Sequence, residues 1–192
     1  MNKKGWIVLG LSLVLLLVLV FIFFRGGARE EISPMSEALP SKIVPESEQP
    51  REVKMVTVFF LSEEDGLLHA EVRQIAAGPN DVQEAERVIE QLIRGSDKGF
   101  LSALPAETQL RQLFITGNGV AYVDFSKEFV EKHSSGSSAE MATVYSVVNS
   151  LAYNFKSIKK VFILVEGGEK ETLGGHISLS EAFAPLYSLD AQ

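Results

Sequence analysis

A chain of 192 residues with 25 acidic and 18 basic side chains, a formal charge of −7 and no cysteine has room for one globular domain and one appendage. The missing cysteines exclude a disulfide scaffold, a thiolate zinc site, a thiol nucleophile and a lipid-modified bacterial N-terminus. A pI near 5.1 argues against a general nucleic-acid binder, which needs a basic face.

In chain order, the first feature is Trp6–Phe24, about 19 residues without a charge. A helix of that length is roughly 28 Å long, close to the hydrocarbon core of a bilayer. Lys3 and Lys4 precede it, and Arg25 and Arg29 follow. A cleaved signal peptide has a shorter apolar region and a small-x-small site, of which Gly26-Gly27-Ala28 is only a loose version. The expectation is one transmembrane helix with a cytoplasmic stub (1–25) and everything after it outside. From Gly26 onward the chain carries 15 basic and 25 acidic residues, so the exported part has a charge of −10. Residues 26–52 hold Pro34, Pro40, Pro45 and Pro50 among glutamates and serines. Such a segment cannot bury a core and reads as a disordered tether, reaching at most roughly 90 Å when extended.

Composition turns globular at Val53, and residues 53–188 read as the folded domain, with 189–192 as a tail. Val53 to Leu61 is β-branched and aromatic, with Val56, Val58 and Phe60 on one face. After the turn Glu64-Asp65-Gly66, Leu67 to Ile75 returns as the second strand of a hairpin. Its apolar face is expected at Leu68, Ala70 and Val72, and its polar face at His69, Glu71 and Arg73. Asn80 or Asp81 opens a helix through Arg94, with Glu84 completing a capping-box variant and Gly95 as the stop. The loop from Ser96 to Glu107 contains enough apolar residues to pack down. Gly117-Asn118-Gly119 is the tight turn between Thr108–Thr116 and Val120–Phe125. Ser126 caps a short helix through Glu131. Ser137 and Glu140 form a second capping box, opening a helix whose stripe runs from Met141 to Phe155. Lys160 to Glu166 is a continuous apolar strand expected inside the sheet, reached by a β-helix-β crossover. Turns at Gly167-Gly168 and Leu173-Gly174-Gly175-His176 lead to a last strand or loop at Ile177–Phe183. This order predicts an α+β two-layer sandwich, with two main helices on one face of a mixed sheet.

The segments Val58-Phe59-Phe60-Leu61-Ser62, Leu101-Ser102-Ala103-Leu104-Pro105, Gly119 to Ser126, Ser137-Ser138-Ala139-Glu140 and Leu173-Gly174-Gly175-His176 occur in an order and spacing that resembles the GerMN domain of bacterial sporulation and germination proteins. The resemblance runs from about Val56 to Pro185. It implies a non-enzymatic module outside the cytoplasmic membrane, similar to the ring-building modules that help assemble transenvelope complexes. It also implies a helix-hairpin-helix-strand order over Val82–Arg94, Thr108–Phe125, Ala139–Phe155 and Lys160–Glu166. The chain departs from the sporulation lipoprotein of this type by having one such domain rather than two, and Trp6–Phe24 where a lipid-acceptor cysteine would stand.

No catalytic constellation emerges. His69, His133 and His176 are far apart in sequence, whereas zinc needs three or four converging ligands. The Gly117–Tyr122 segment precedes a strand rather than a helix, which is the wrong context for phosphate binding. Asp124 beside Ser126 has no base at a suggestive spacing and reads as a helix cap. Tyr122, Tyr145, Tyr153 and Phe155 are candidate linings of a sugar or peptide groove, with Tyr145 and Phe155 better suited to the core. The loop Gly174, Gly175, His176 is the candidate interaction or ligand site, because turn glycines expose backbone donors. The functional expectation is a membrane-anchored envelope module that works without catalysis, cofactor or metal. Its partners are envelope proteins or its own copies, bound through a sheet edge and flanking helix faces. A glycan-binding or small-ligand module is the alternative, and an envelope hydrolase the weaker rival.

Overall fold

The computed structural model of the protein describes residues 52–134 and 136–190. The expected membrane span and nearly all of the tether lie outside the described residues. Among the described residues, no helix is long and apolar enough to cross a membrane.

Alternation of large apolar residues commits β1 (Val53–Leu61) to one buried face, carrying Val56, Val58 and Phe60. It pairs antiparallel with β2 (Leu68–Ala76), in a register that sets Val56 opposite Arg73 and Val58 opposite Glu71. Cross-strand partners share a face, so this register turns Glu71 and Arg73 inward and Ala70 and Val72 outward. The faces expected of β2 are therefore inverted at Ala70, Glu71, Val72 and Arg73, whereas Leu68 is buried as expected, against Phe59 and Ala142. The aromatic and β-branched side chains of β1 bury more apolar area than Ala70 and Val72 would, so β1 sets the parity of the hairpin. The inward charges are matched: Arg73 Nε donates to Glu71 Oε1 at 2.6 Å, and Ser96 Oγ to Glu71 Oε2 at 2.6 Å. The amide of Asp97 donates to Glu71 Oε1, and Arg73 also reaches the carbonyl of Gly95 and the carboxylate of Asp97.

Helix α1 (Asp81–Arg94) starts at Asn80, whose side chain accepts from the amide of Gln83, and stops at Gly95. Glu84 does not close the expected capping box. It accepts from the amide of Gly78 and the ammonium of Lys54, tying the hairpin to the helix. Strands β3 (Leu110–Ile115) and β4 (Val120–Phe125) form the second hairpin, and β5 (Lys160–Val165) pairs parallel with β4. At the turn Gly119 has φ 87°, and a Cβ there would meet the carbonyl of Ser157 at 3.0 Å, so both conformation and space require glycine. Between β4 and β5 lie the short α2 (Glu128–Glu131) and the long α3 (Ser137–Asn154).

The strands do not form one sheet. They form a two-stranded sheet, β1-β2, and a three-stranded sheet, β3-β4-β5. The α+β class and the two main helices stand, but the single sheet does not. β4, not β5, is the central strand, and the outer side of β5 is partly covered by Phe183, which exchanges two backbone hydrogen bonds with Val161. Helix α3 packs against β1, α1 and β5, and most of its surface is buried, including Glu140, Thr143, Ser146, Asn149 and Ser150. The common core runs through Val58, Phe60, Ile89, Val123, Phe125, Val147, Leu151 and Ile163.

Polar residues of α3, buried or partly buried, have a use. Ser150 Oγ accepts from the amide of Phe59, and the Asn154 side chain accepts from the amide of Thr57 and donates to its carbonyl. Leu61 exchanges two backbone bonds with Leu101. The side of β1 that faces away from β2 is thereby closed at Thr57, Phe59 and Leu61, by helix side chains and by the packed-down 96–107 loop.

Candidate functional site

The loop singled out in the sequence, Gly174-Gly175-His176, sits over the first turn of α3. Its base is closed by bonds from the amide of Leu173 to the carbonyl of Ile177 and from the amide of Leu179 to that of Glu171, and Leu173 and Leu179 are buried beneath it. Its backbone donors converge on Glu140, a fully buried side chain. The amides of His176 and Ile177 donate to Glu140 Oε2 at 3.1 and 2.8 Å, and His176 Nδ1 lies 2.7 Å from Oε1. Burial alone would push the Glu140 carboxyl up. The amides of Ile177, Gly174 and His176 and the imidazole outweigh it and hold the carboxyl at about 2. A Cβ on Gly174 would lie 2.8 Å from Glu140 Oε1, so glycine is what lets the backbone come this close. The loop is a small anion cradle filled from inside the protein.

This use of Glu140 corrects the second capping box. The N-cap of α3 is Gly136, with no side-chain cap bond, and Glu140 points into the loop instead of back to the helix start. Asp124 and Ser126 cap no helix either. Asp124 accepts from Arg111 Nε at 3.1 Å and from the amide of Gly167 at 2.8 Å, while Ser126 Oγ accepts from the amide of Gln109. The N-cap of α2 is Lys127. Arg111 also pairs with Glu166, so β3, β4 and the turn after β5 are held by one charge cluster.

The three histidines stay apart in function. His69 pairs with Asp65 at 2.8 Å, and His133 Nε2 lies 2.6 Å from Thr143 Oγ1. Burial pushes the His133 imidazole down, towards its neutral form. Among the described residues, no group of three His, Cys, Asp or Glu could hold a metal ion. Of the proposed aromatic lining, Phe155 is in the core, and Tyr145 is partly buried with its ring edge-on to Phe183. Tyr122 stands in a row across the three-stranded sheet, its centroid 4.7 Å from Phe114 and 5.3 Å from Phe162, with ring planes inclined by 5° and 29°. Stacked this way, the rings turn their faces to one another, which leaves the row poorly suited to receive a sugar ring face-on.

The feature missed in the sequence is the outward face of the first hairpin. Val53, Met55 and Val72 are 56, 59 and 57 % exposed, and Tyr153, at 59 %, stands edge-on to Phe59 beside them. Tyr187 continues the patch next to Tyr153. The parity inversion of β2 produced this surface, and the signal for it lay in the β1 register rather than in β2 itself. The edge of β2 is open as well. The amides of Thr57 and Phe59 on β1 point to α3, so the β1-β2 bonds use Val56, Val58, Arg73 and Glu71. The amides and carbonyls of Ala70, Val72 and Gln74 therefore point away from β1, and among the described residues they have no partner.

Residues 57–171 match the Germane family, described as sporulation and spore germination. Among solved structures, the first GerMN domain of the sporulation protein GerM from Bacillus subtilis is 24 % identical, with a TM-score of 0.53 over 68 % of this chain and 97 % of that one. The tandem GerMN domains of the same protein give 24 % and 0.58 over 69 % of this chain, but only 46 % of that one. A Clostridium perfringens protein whose name calls it a lipoprotein is 26 % identical, with a TM-score of 0.50 over 69 % of this chain and 87 % of that one. No curated protein matches the chain.

Proposed function

The chain belongs to the Germane family, and from that premise we propose that it is a membrane-anchored, extracytoplasmic interaction module of the cell envelope that works without catalysis. Sporulation or spore germination is the setting that the family supports. The uncharged run Trp6–Phe24 serves as the anchor, and residues 26–52 carry the domain away from the lipid surface.

The observation that carries this reading is the joint exposure of an apolar face and an unpaired strand edge on one hairpin. Natural sheets guard such edges with charges, prolines, bulges or covering segments. This protein closes the edge of β1 with α3, while among the described residues the edge of β2 is bridged at Leu68 by Asp190 and open at the neutral Ala70, Val72 and Gln74. Exposed contiguous apolar surface on a folded domain marks a contact site, and strand addition is the matching mode of recognition. The polar clusters do not offer a comparable site: the Glu140 cradle is filled by its own loop, and the Arg111 cluster by its own carboxylates.

Crosslinking of the full chain in cells tests the proposal. A crosslinker placed on the hairpin face, at Met55 or Val72, is expected to trap a protein adduct, whereas one on the other sheet, at the exposed Gln112 of β3, is not. Recovery of uncrosslinked monomer from every position would overturn it.

A further inference from the structure

We propose that the open edge of β2 is a self-association site, at which two copies of this chain pair antiparallel about a two-fold axis at Val72. The inference rests on the interaction reading above and names the partner. Three observations lead to it. The free stretch is short and self-complementary: in an antiparallel pair centred on Val72, Val72 meets Val72 of the second copy and Ala70 meets Gln74, so each outward amide finds an outward carbonyl. The ends of the stretch differ in charge: the Ala76 end is mixed, with Arg87 and Lys54 beside Glu84 and Glu52, and the Leu68 end is acidic. At the Ala76 end Arg87 Nη1 donates to the Ala76 carbonyl at 2.6 Å. At the Leu68 end stand the exposed turn Glu63-Glu64-Asp65 and Asp190, whose backbone bridges Leu68. Antiparallel pairing sets the acidic end of one copy against Arg87 of the other; parallel pairing would set like against like. The third observation is the exposed apolar residues of this face, since joining the two hairpins places Val72 and Met55 of both copies on one four-stranded surface, with Thr57 and Gln74 between them. The net charge of −7 opposes association, but the edge itself is neutral, and charges beyond about 8 Å are screened at physiological ionic strength.

The absence of cysteine makes the test direct. In a hydrogen-bonded antiparallel pair the facing Cα atoms are about 5.5 Å apart, within disulfide range. Single-cysteine variants of the full chain are oxidised mildly in the membranes of the expressing cells. Val72→Cys is expected to give a disulfide dimer. Ala70→Cys and Gln74→Cys alone are not, because each lies four residues, about 13 Å, from its own copy. The two variants expressed together are expected to crosslink to each other, and adding Val72→Lys to both is expected to abolish that product. Absence of the Val72→Cys dimer, or equal dimer from all three single variants, would overturn the proposal. In the first case a photo-crosslinker at Val72 separates the two readings. Capture of a different protein removes only the self-pairing, and capture of nothing removes the interaction surface as well.

Discussion

Glu140 shows how far a residue's role can lie from its local sequence. Ser137 and Glu140 have capping-box spacing, yet the carboxylate is taken by amides 34 to 37 positions later, which no short-range pattern reveals. Removing it takes the acceptor from amides on the partly buried inner side of the loop. Glu140→Ala is expected to cost about 3 kcal/mol or more, read as a lowered denaturant midpoint at unchanged slope. Gly174→Ala is expected to cost about 1–3 kcal/mol, because a methyl group 2.8 Å from Oε1 forces the cradle apart. The pH dependence has a definite sign. The folded carboxyl, at about 2, is below its ordinary value of 4.5, so its stabilisation is complete above about pH 4.5 and is lost as pH falls towards 2. Glu71 and Glu84 are also held low and titrate in the same region. The readout is therefore the stability difference between wild type and Glu140→Gln, expected to shrink from pH 6 to pH 3. A constant difference would refute the assignment.

At the scale of elements, nearly every helix and strand was legible, because each is announced by its period, its cap or its turn glycine. What the pattern hid was which face of β2 turns inward. Leu68, Ala70 and Val72 alternate with charged residues just as a half-buried strand should, but a hairpin has one register, and β1 holds the larger apolar set. The consequence is a buried ion pair between Glu71 and Arg73, 2 and 5 % exposed. Arg73→Met alone leaves Glu71 charged and is expected to cost about 3–5 kcal/mol. Combining it with Glu71→Leu is expected to recover most of that loss, a coupling that a double-mutant cycle measures. The seam between α3 and β1 makes a separate prediction. Asn154→Ala unpairs both backbone groups of Thr57 and is expected to cost about 1–3 kcal/mol, with faster hydrogen exchange at the Thr57 amide.

For the molecule as a whole, the α+β class and the crossover from β4 to β5 followed from element order, whereas the division into two sheets did not. The reason is physical: α3 supplies the partners that a third strand would otherwise give to β1, and a helix doing the work of a strand leaves no trace in strand periodicity. The same division left Val72 facing water. Val72→Lys is expected to leave the thermal midpoint within a few degrees of wild type, since the side chain is exposed, while raising the solubility limit of the protein.

The seam between α3 and β1 also bears on the order in which the chain acquires its shape. The groups that close β1 at Thr57 and Phe59 lie 97 and 91 residues further along. A chain emerging from its N-terminus can zip its first hairpin early, from contacts close in sequence, but that ribbon stays raw on both flanks until α3 has been delivered. Closing so long a loop is slow relative to hairpin formation. The nascent protein therefore passes through an interval in which its first hairpin has emerged and the helix that covers one flank of it has not.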